Sequence, residues 1–587
     1  MFDLKVVNGT IVDGTGRPRA VGDVAVQDGV IVAVGPSIEG DAVETIDATG
    51  MVVTPGFVDI HTHYDGQATW DPALEPSASH GVTTVVAGNC GVGFAPVRPG
   101  QEAMLIEMME GVEDIPGTAL HEGIQWEWET FPEYLDALDR RRFSMDLAVY
   151  LPHAPLRMYV MGERGATDED ATAEDIAEMA GHVRAAIEAG AIGFSTSRSL
   201  NHKTLDGELV AGTFAAPEEL LGLARAMVEG GGGLFEVVPT GETGSDADTI
   251  LGEVALMARI SKETGLDVSF LLVQPSMAPD LYRRQLELLE RSNADGAHLS
   301  AQVAVRAGGM LLGLASYHAF MRRPTFVELE GRLSFDELRA ALAEPDVKAA
   351  ILAEQDGPQD PRRQFQMLTD TIPFVLDRLF VLGEEPDYEP TPETSVAGVA
   401  AARGVDPMEV LYDCMVDGSL LLAAFTNYAD LNNDALAEML SHPDTVVGLS
   451  DGGAHVKMIC DASSPTTLLT HWTRDRTRGE RLPLELVVRK QAAATAASVG
   501  LHDRGTIEVG KKADLNVIDL EHLTLFAPRS VDDLPAGGRR IMQDARGYVA
   551  TIVSGVVTRR HDTDTGARPG RLVRGARSPE GARTAPA

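Results

Sequence analysis

The stretch Pro55-Gly56-Phe57-Val58-Asp59-Ile60-His61-Thr62-His63-Tyr64-Asp65 decides the fold. A hydrophobic run from Met51 to Ile60 ends in His-x-His. On a β-strand, residues i and i+2 project to the same side. His61 and His63 therefore aim two imidazoles at one point, and neutral imidazole is a common ligand for zinc and related divalent ions. Two unrelated surface histidines at a strand end are the plain alternative, and the residues downstream argue against it.

Downstream, β-like and α-like segments alternate, the pattern of a parallel sheet with crossover helices. Eight strand candidates can be read, at 52–61, 81–89, 145–153, 191–197, 233–239, 267–274, 298–305 and 445–451. Helical patterns such as Thr172 to Gly190 and Pro217 to Gly230 lie between them. Eight such units predict a (β/α)₈ barrel over 54–500, whose active site sits at the C-terminal ends of the strands. Two segments exceed a single crossover. Residues 95–144, with Trp126, Trp128 and Phe131, form either a lid or a packed satellite. Residues 306–444 hold extra helices and a Pro/Glu-rich stretch, Glu384 to Glu393, expected as a surface loop.

The two ends share another texture. Residues 1–53 read as short strands and turns, with Asp28-Gly29 between two β-branched runs as a hairpin signal. Residues 501–559 return to it. Together they predict one small β-domain built from both ends. From about 560 to 587 the chain is rich in Arg, Gly, Pro and Ser and is expected to be disordered.

Composition narrows the function classes. The chain has 587 residues, 44% hydrophobic and 23% charged, which suits a soluble globular protein. No apolar run approaches the roughly 18 residues of a membrane span, and the start lacks the shape of a signal peptide. Three cysteines, Cys90, Cys414 and Cys460, argue for a reducing compartment, so a cytoplasmic protein is expected. A net charge of −39 predicts repulsion from nucleic acid and from anionic membranes. A small-molecule substrate remains.

The barrel assignment places the chemistry. His61 and His63 end strand 1, Asn89-Cys90-Gly91 ends strand 2, and His153 ends strand 3. Gly448-Leu449-Ser450-Asp451-Gly452-Gly453 ends strand 8, which puts Asp451 beside strand 1 in a closed barrel. A carboxylate there can ligate an ion and accept a proton from the water that the ion acidifies, and Cys90 as thiolate is a further ligand. Arg198 after strand 4 and Arg306 after strand 7 are candidates for clamping a substrate carboxylate, with a structural ion pair on the rim as the equal alternative. His202, on the same loop as Arg198, is a candidate to reach the substrate, His153 either polarises the scissile carbonyl or only holds a loop, and His455 follows Asp451 closely. Cys414 and Cys460 are expected to be structural.

These motifs resemble the amidohydrolase superfamily, in its D-aminoacylase (N-acyl-D-amino-acid deacylase) branch. The matching residues are PGFVDIHTHYD at 55–65, GVTTVVAGNCGVGFAP at 81–96, His153-Ala154-Pro155-Leu156-Arg157, Gly193-Phe194-Ser195-Thr196, Gly448 to Gly452 and Gly510-Lys511-Lys512-Ala513-Asp514-Leu515. The resemblance implies a metal-dependent barrel with a split β-sandwich that hydrolyses an amide, and assembly as a homo-oligomer. It implies that His61, His63, Cys90 and Asp451 hold the metal, and that Asp451 is also the general base. Two features of that branch are missing. Strands 5 and 6 should each end in a histidine, followed by a lysine for the substrate carboxylate, yet 233–240 and 268–274 contain neither. Glu236 and Gln274 are the residues available as replacements, although an ordinary ion pair is the simpler expectation for Glu236.

The expected cofactor is therefore one divalent ion, zinc first, rather than two. The expected activity is hydrolysis of an amide C–N bond in a small molecule, with a substrate other than a plain N-acyl-D-amino acid. A hydrolase of cyclic amides or lactones, which would need no carboxylate clamp, and a catalytically silent binding barrel are the alternatives.

Overall fold

A computed structural model describes residues 1–167, 169–241, 244–360 and 365–575. Its centre is a barrel of eight parallel strands: β1 (Phe57–Asp59), β2 (Val82–Ala87), β3 (Asp146–Pro152), β4 (Gly193–Ser197), β5 (Leu234–Val238), β6 (Val268–Leu271), β7 (Leu299–Val303) and β8 (Thr445–Val447). They neighbour one another in that order from β1 to β8. Each falls within one of the eight stretches read from the sequence. Among the helices around them are α1 (Glu102–Glu113), α2 (His153–Met161) and α3 (Pro217–Gly230).

The ring closes beyond the strand ends. Thr62 bridges Gly452 in parallel register. The His63 N–H donates to the Gly452 carbonyl at 2.8 Å, and the Asp451 N–H to the His61 carbonyl at 3.1 Å. The Ser450 hydroxyl adds a bond to the same His61 carbonyl at 3.0 Å. The backbone bonds that shut the barrel are thus the ones that bring His61, His63 and Asp451 together.

The apolar run 52–61 divides at Gly56. Val52–Pro55 pairs antiparallel with Leu515–Ile518 and belongs to the terminal sheet, while β1 begins at Phe57. A side chain at position 56 would place its Cβ 2.2 Å from the Thr83 hydroxyl, so only glycine fits where the chain passes between the two sheets. Both chain ends share one nine-stranded sheet. It packs Leu4, Val6, Val24, Ile31, Leu515, Val517 and Ile552 into a core of its own. Its Asp28-Gly29 turn has positive φ at both residues, 53° and 75°, as a two-residue hairpin of this hand requires.

Two expectations need correction, and a third, left open between a lid and a packed satellite, is decided. The tail is ordered as far as Gly575. Val556–Arg560 and Thr563–Asp564 are strands, and the chain then runs back beneath the barrel, where Gly570 bridges Phe143 and Leu572 bridges Leu147. Leu572 is buried there, in the same apolar cluster as Phe143, Leu147 and Ile187. Its two apolar residues, Leu572 and Val573, are lost in a composition average over a polar tail. Residues 576–587 lie outside the described residues. The second correction concerns Glu384 to Glu393, which is not simply a surface loop. Tyr388 and Glu389 are buried, and Glu389 accepts from Arg476 Nε at 3.0 Å. The surrounding segment has its own three-stranded sheet, Gly308–Leu312, Leu379–Leu382 and Leu420–Thr426. Third, the segment 95–144 is packed rather than open. Trp128 and Phe131 are buried in one cluster with barrel residues.

No helix among the described residues is long and apolar enough to cross a membrane. Leu572→Ala is expected to lower the melting temperature by several degrees, because emptying a buried leucine site typically costs about 2–5 kcal/mol. Leu572→Met, which keeps the volume, should melt close to wild type. A thermal melt followed by circular dichroism checks both, and equal melting of the Ala variant and wild type would mean that the strap carries no stability.

Candidate active site

Chain geometry puts His61 and His63 just past β1 and Cys90 just past β2, and donor atoms of these three residues all lie within 4.8 Å of one another. Asp451 joins them from the loop after β8. His61 Nε2 stands 3.3 Å from Asp451 Oδ1 and 3.3 Å from Cys90 Sγ, and His63 Nε2 stands 3.7 Å from Asp451 Oδ1. Donors on a tetrahedral ion with bonds of about 2.0–2.3 Å are separated by about 3.3–3.7 Å. Cys90, Leu449, Asp451 and His455 all carry positive φ, between 47° and 60°. Non-glycine residues in this region are strained by about 1–3 kcal/mol each, a cost that concentrates at functional sites.

The electrostatics call for a cation. His61 is buried, and its Nδ1 is paired with Gln302 Oε1 at 2.8 Å. Burial brings its pKa down to about 4, so at neutral pH it is an uncharged imidazole. For His63 burial works in the same direction, but the Glu113 and Asp451 carboxylates on either side outweigh it and push the pKa up to about 9. Neither His63 ring nitrogen has a hydrogen bond of ordinary length. Burial pushes the Cys90 thiol well up, and Glu113, Glu236, Asp451 and Asp65 add to the shift. A thiol ringed by carboxylates loses its proton when a metal cation binds it. Asp451 is the reverse. Burial raises its pKa, yet His63, His61 and His455 outweigh that and hold the carboxyl well below the usual range. The residues present therefore fit a divalent ion of borderline softness, with two imidazoles, a thiolate and a carboxylate.

Residues 44–559 match the Amidohydrolase family. The chain belongs to this family. It is 28% identical to an uncharacterized protein of Mycobacterium tuberculosis, over 95% of this chain and 91% of that one. It is 26% identical to a D-aminoacylase of Alcaligenes xylosoxydans xylosoxydans, over 97% of each chain. The crystal structure of N-acyl-D-glutamate deacylase from Bordetella bronchiseptica superposes with a TM-score of 0.63 at 24% identity, covering 98% of this chain and 99% of that one. As an amidohydrolase the protein is a hydrolase of carbon–nitrogen bonds other than peptide bonds.

Around the cluster, this amidohydrolase treats its other candidates differently. Of the candidate substrate contacts His153, Arg198, His202 and Arg306, His202 adjoins the cluster. Its Nδ1 is held by the Ser197 hydroxyl at 2.8 Å. Burial, with the neighbouring charges of His455 and His63, brings its pKa down to about 3. The other three proposed substrate contacts are already committed. His153 is buried between Thr196 Oγ1 at 2.8 Å and Glu219 Oε1 at 2.9 Å, and Arg157 shares that carboxylate at 2.6 Å. Burial opposes ionisation of Glu219, but His153 and Arg157 bring its pKa down to about 2. Arg198 gives Nε to Glu253 at 2.7 Å and Nη1 to the Ala215 carbonyl at 2.8 Å. Arg306 pairs with Asp461, with Nε at 3.1 Å, and lies over the Tyr388 ring at 4.2 Å. Each is paired within the protein, and each partner lies too far along the chain to be read from local spacing.

Glu236 departs from expectation in another way. It lies on β5 beneath Cys90, fully buried, with no ion pair among the described residues and no well-formed hydrogen bond to either oxygen. Burial pushes its pKa up to about 8. Gln274 is taken by Asp430 at 3.0 Å and by the Ala429 N–H at 3.1 Å.

Two residues at the site were not anticipated. Gln302 interrupts the apolar strand β7 with a polar, inward-facing side chain, a signal available in the sequence. Glu113 ends α1, inside the segment between β2 and β3, where no spacing ties it to His-x-His.

Proposed function

We propose that this amidohydrolase hydrolyses the amide bond of a small N-acylated amine, using one divalent ion, zinc, held by His61, His63, Cys90 and Asp451. The observation that carries the reading is the three separations of 3.3–3.7 Å that link these four side chains, with the His61, His63 and Cys90 donors all within 4.8 Å. An ion held there supplies a Lewis acid for the carbonyl and brings the pKa of a water towards neutrality. Asp451, held ionised by its histidine neighbours, takes the proton of the attacking water and delivers it to the leaving nitrogen. His202, with Nδ1 fixed by Ser197, has Nε2 left to hold the substrate carbonyl. The D-aminoacylase and N-acyl-D-glutamate deacylase to which the chain is similar are named for N-acyl-D-amino acids. The cytoplasm suits a site that depends on a reduced Cys90.

A second reading has its own support. Arg198 and Arg306 are both paired with carboxylates of the protein, which leaves the site without an unpaired guanidinium from these two for a substrate carboxylate. This favours a ring substrate, a cyclic amide or a lactone, which has no such group. A panel of N-acetyl-D- and N-acetyl-L-amino acids, uncharged N-acetyl amines, dihydropyrimidines and lactones separates the readings. Turnover of open-chain amides is the expected result. Turnover of rings alone selects the second reading, and hydrolysis of nothing in the panel by metal-loaded protein overturns both.

A further inference from the structure

Both imidazoles of the His-x-His pair have one nitrogen facing the cluster and one facing away, and each outward nitrogen meets an oxygen. For His61 that oxygen is Gln302 Oε1, on the barrel strand β7, at 2.8 Å from Nδ1. For His63 it is Glu113 Oε1, at 3.4 Å from Nδ1. Glu113 does not come from a barrel strand. It is the last residue of α1, and its side chain is only 1% exposed. Its second oxygen, Oε2, stands 3.4 Å from His455 Nε2. Neither carboxylate oxygen has a hydrogen bond of ordinary length, and the His63 nitrogens and His455 Nδ1 also lack one. A buried carboxylate whose nearest charged partners are two histidine nitrogens at 3.4 Å is unfavourable unless it holds them.

The end of α1 is fixed in place. The His455 N–H donates to the Glu113 carbonyl. The next residue, Asp114, accepts from the Tyr317 hydroxyl at 2.6 Å and from the Lys457 N–H at 3.2 Å, and its φ of 50° turns the chain out of the helix. Helix α1 and the loop after β8 are thus clasped together across the mouth of the site, with the Glu113 carboxylate directed inwards.

We propose that Glu113 is the positioning residue of this centre: its carboxylate takes the Nδ1–H of His63 and the Nε2–H of His455, which turns the His63 Nε2 lone pair towards Asp451. A neutral imidazole has one N–H, so the group that accepts it decides which nitrogen is left as a ligand. A carboxylate in that place also makes the ligand more basic, and losing such a partner typically costs about 10–100-fold in metal affinity. The inserted segment 95–144 would then serve the centre through Glu113 rather than as a cover. The inference rests on the reading that the cluster holds a divalent ion, and the test separates the two.

The protein is stripped with chelator and titrated with zinc against a chromophoric competitor, and the visible spectrum of the cobalt-loaded protein is recorded. Glu113→Ala is expected to weaken zinc about 10–100-fold and to change the cobalt spectrum. Glu113→Gln, which keeps an acceptor oxygen, should recover most of the affinity. Glu107→Ala, on the exposed side of α1, should match wild type in both readouts. Wild-type zinc affinity and an unchanged cobalt spectrum in a folded Glu113→Ala variant overturn the inference and leave the hydrolase reading standing. Should that variant fail to fold, Glu113→Asp decides: an affinity loss supports the positioning role and unchanged affinity overturns it. A wild-type chain that takes up no zinc overturns both readings.

Discussion

Asp451→Asn is expected to lower kcat by about 10²–10⁴-fold, the usual contribution of a positioned proton-transfer group, while the protein stays folded. Asparagine has the shape of aspartate and keeps an oxygen to face His61 and His63. It cannot accept a proton from water or pass one to nitrogen. The strain at this position makes the isosteric change the informative one, because Asp451 holds a φ of 47° that asparagine adopts as readily as aspartate. Its carboxylate is ionised at neutral pH, since the three histidines around it outweigh the effect of burial. Metal per chain has to be measured beside kcat, because the same oxygen faces the ligand set at 3.3 Å from His61. Loss of turnover with metal retained assigns the proton transfer to Asp451. A variant that turns over like wild type removes Asp451 from the mechanism and leaves the proposed chemistry without a base.

The barrel was legible because parallel strands are covered on both faces and so read as continuous apolar runs, here cut by glycines. Phe57-Val58 and Val82 to Ala87 stand out without any knowledge of their neighbours. The convergence of His61, His63 and Asp451 was legible for a related reason. Alternation along an extended chain puts residues 61 and 63 on one side, and barrel closure puts the loop after strand 8 beside strand 1. What depends on pairing between distant residues was not legible. Arg198 meets Glu253, Arg306 meets Asp461, and His153 meets Glu219, and no local pattern marks any of these acids as the partner. A guanidinium at a strand end looks the same in sequence whether it awaits a substrate or is already neutralised. The same limit hid Glu113. Helix α1 carries Glu102, Glu107, Glu110 and Glu113, and only packing selects which of them turns inwards. The tail fails differently, because a composition average cannot see that the short stretch around Leu572 docks against Leu147.

His61→Ala/His63→Ala is expected to abolish both metal binding and turnover. Wild-type protein purified without chelator or added metal should carry about one divalent ion per chain by elemental analysis, and the double variant none. The reason lies in the charge of the pocket as much as in the count of ligands. Glu113 and Asp451 remain, facing Cys90, once the two imidazoles are gone. These groups attract cations, but the donors left are hard oxygens and a thiol whose proton burial retains, a poor set for zinc. The variant therefore tests whether imidazole ligation, rather than local negative charge, selects the ion. Retention of one ion per chain in the double variant would place the metal elsewhere and break the link between His-x-His and hydrolysis. About two ions in wild type would have a physical reading as well. Buried Glu113 and Glu236 and part-buried His455 are among the groups near the first site with polar atoms that lack a well-formed hydrogen bond, so they are donors open to a second ion where β5 and β6 supply no histidine. Substituting Glu236 with glutamine would then remove one ion and spare the other, whereas with a single ion per chain the same change should leave the metal content as it was.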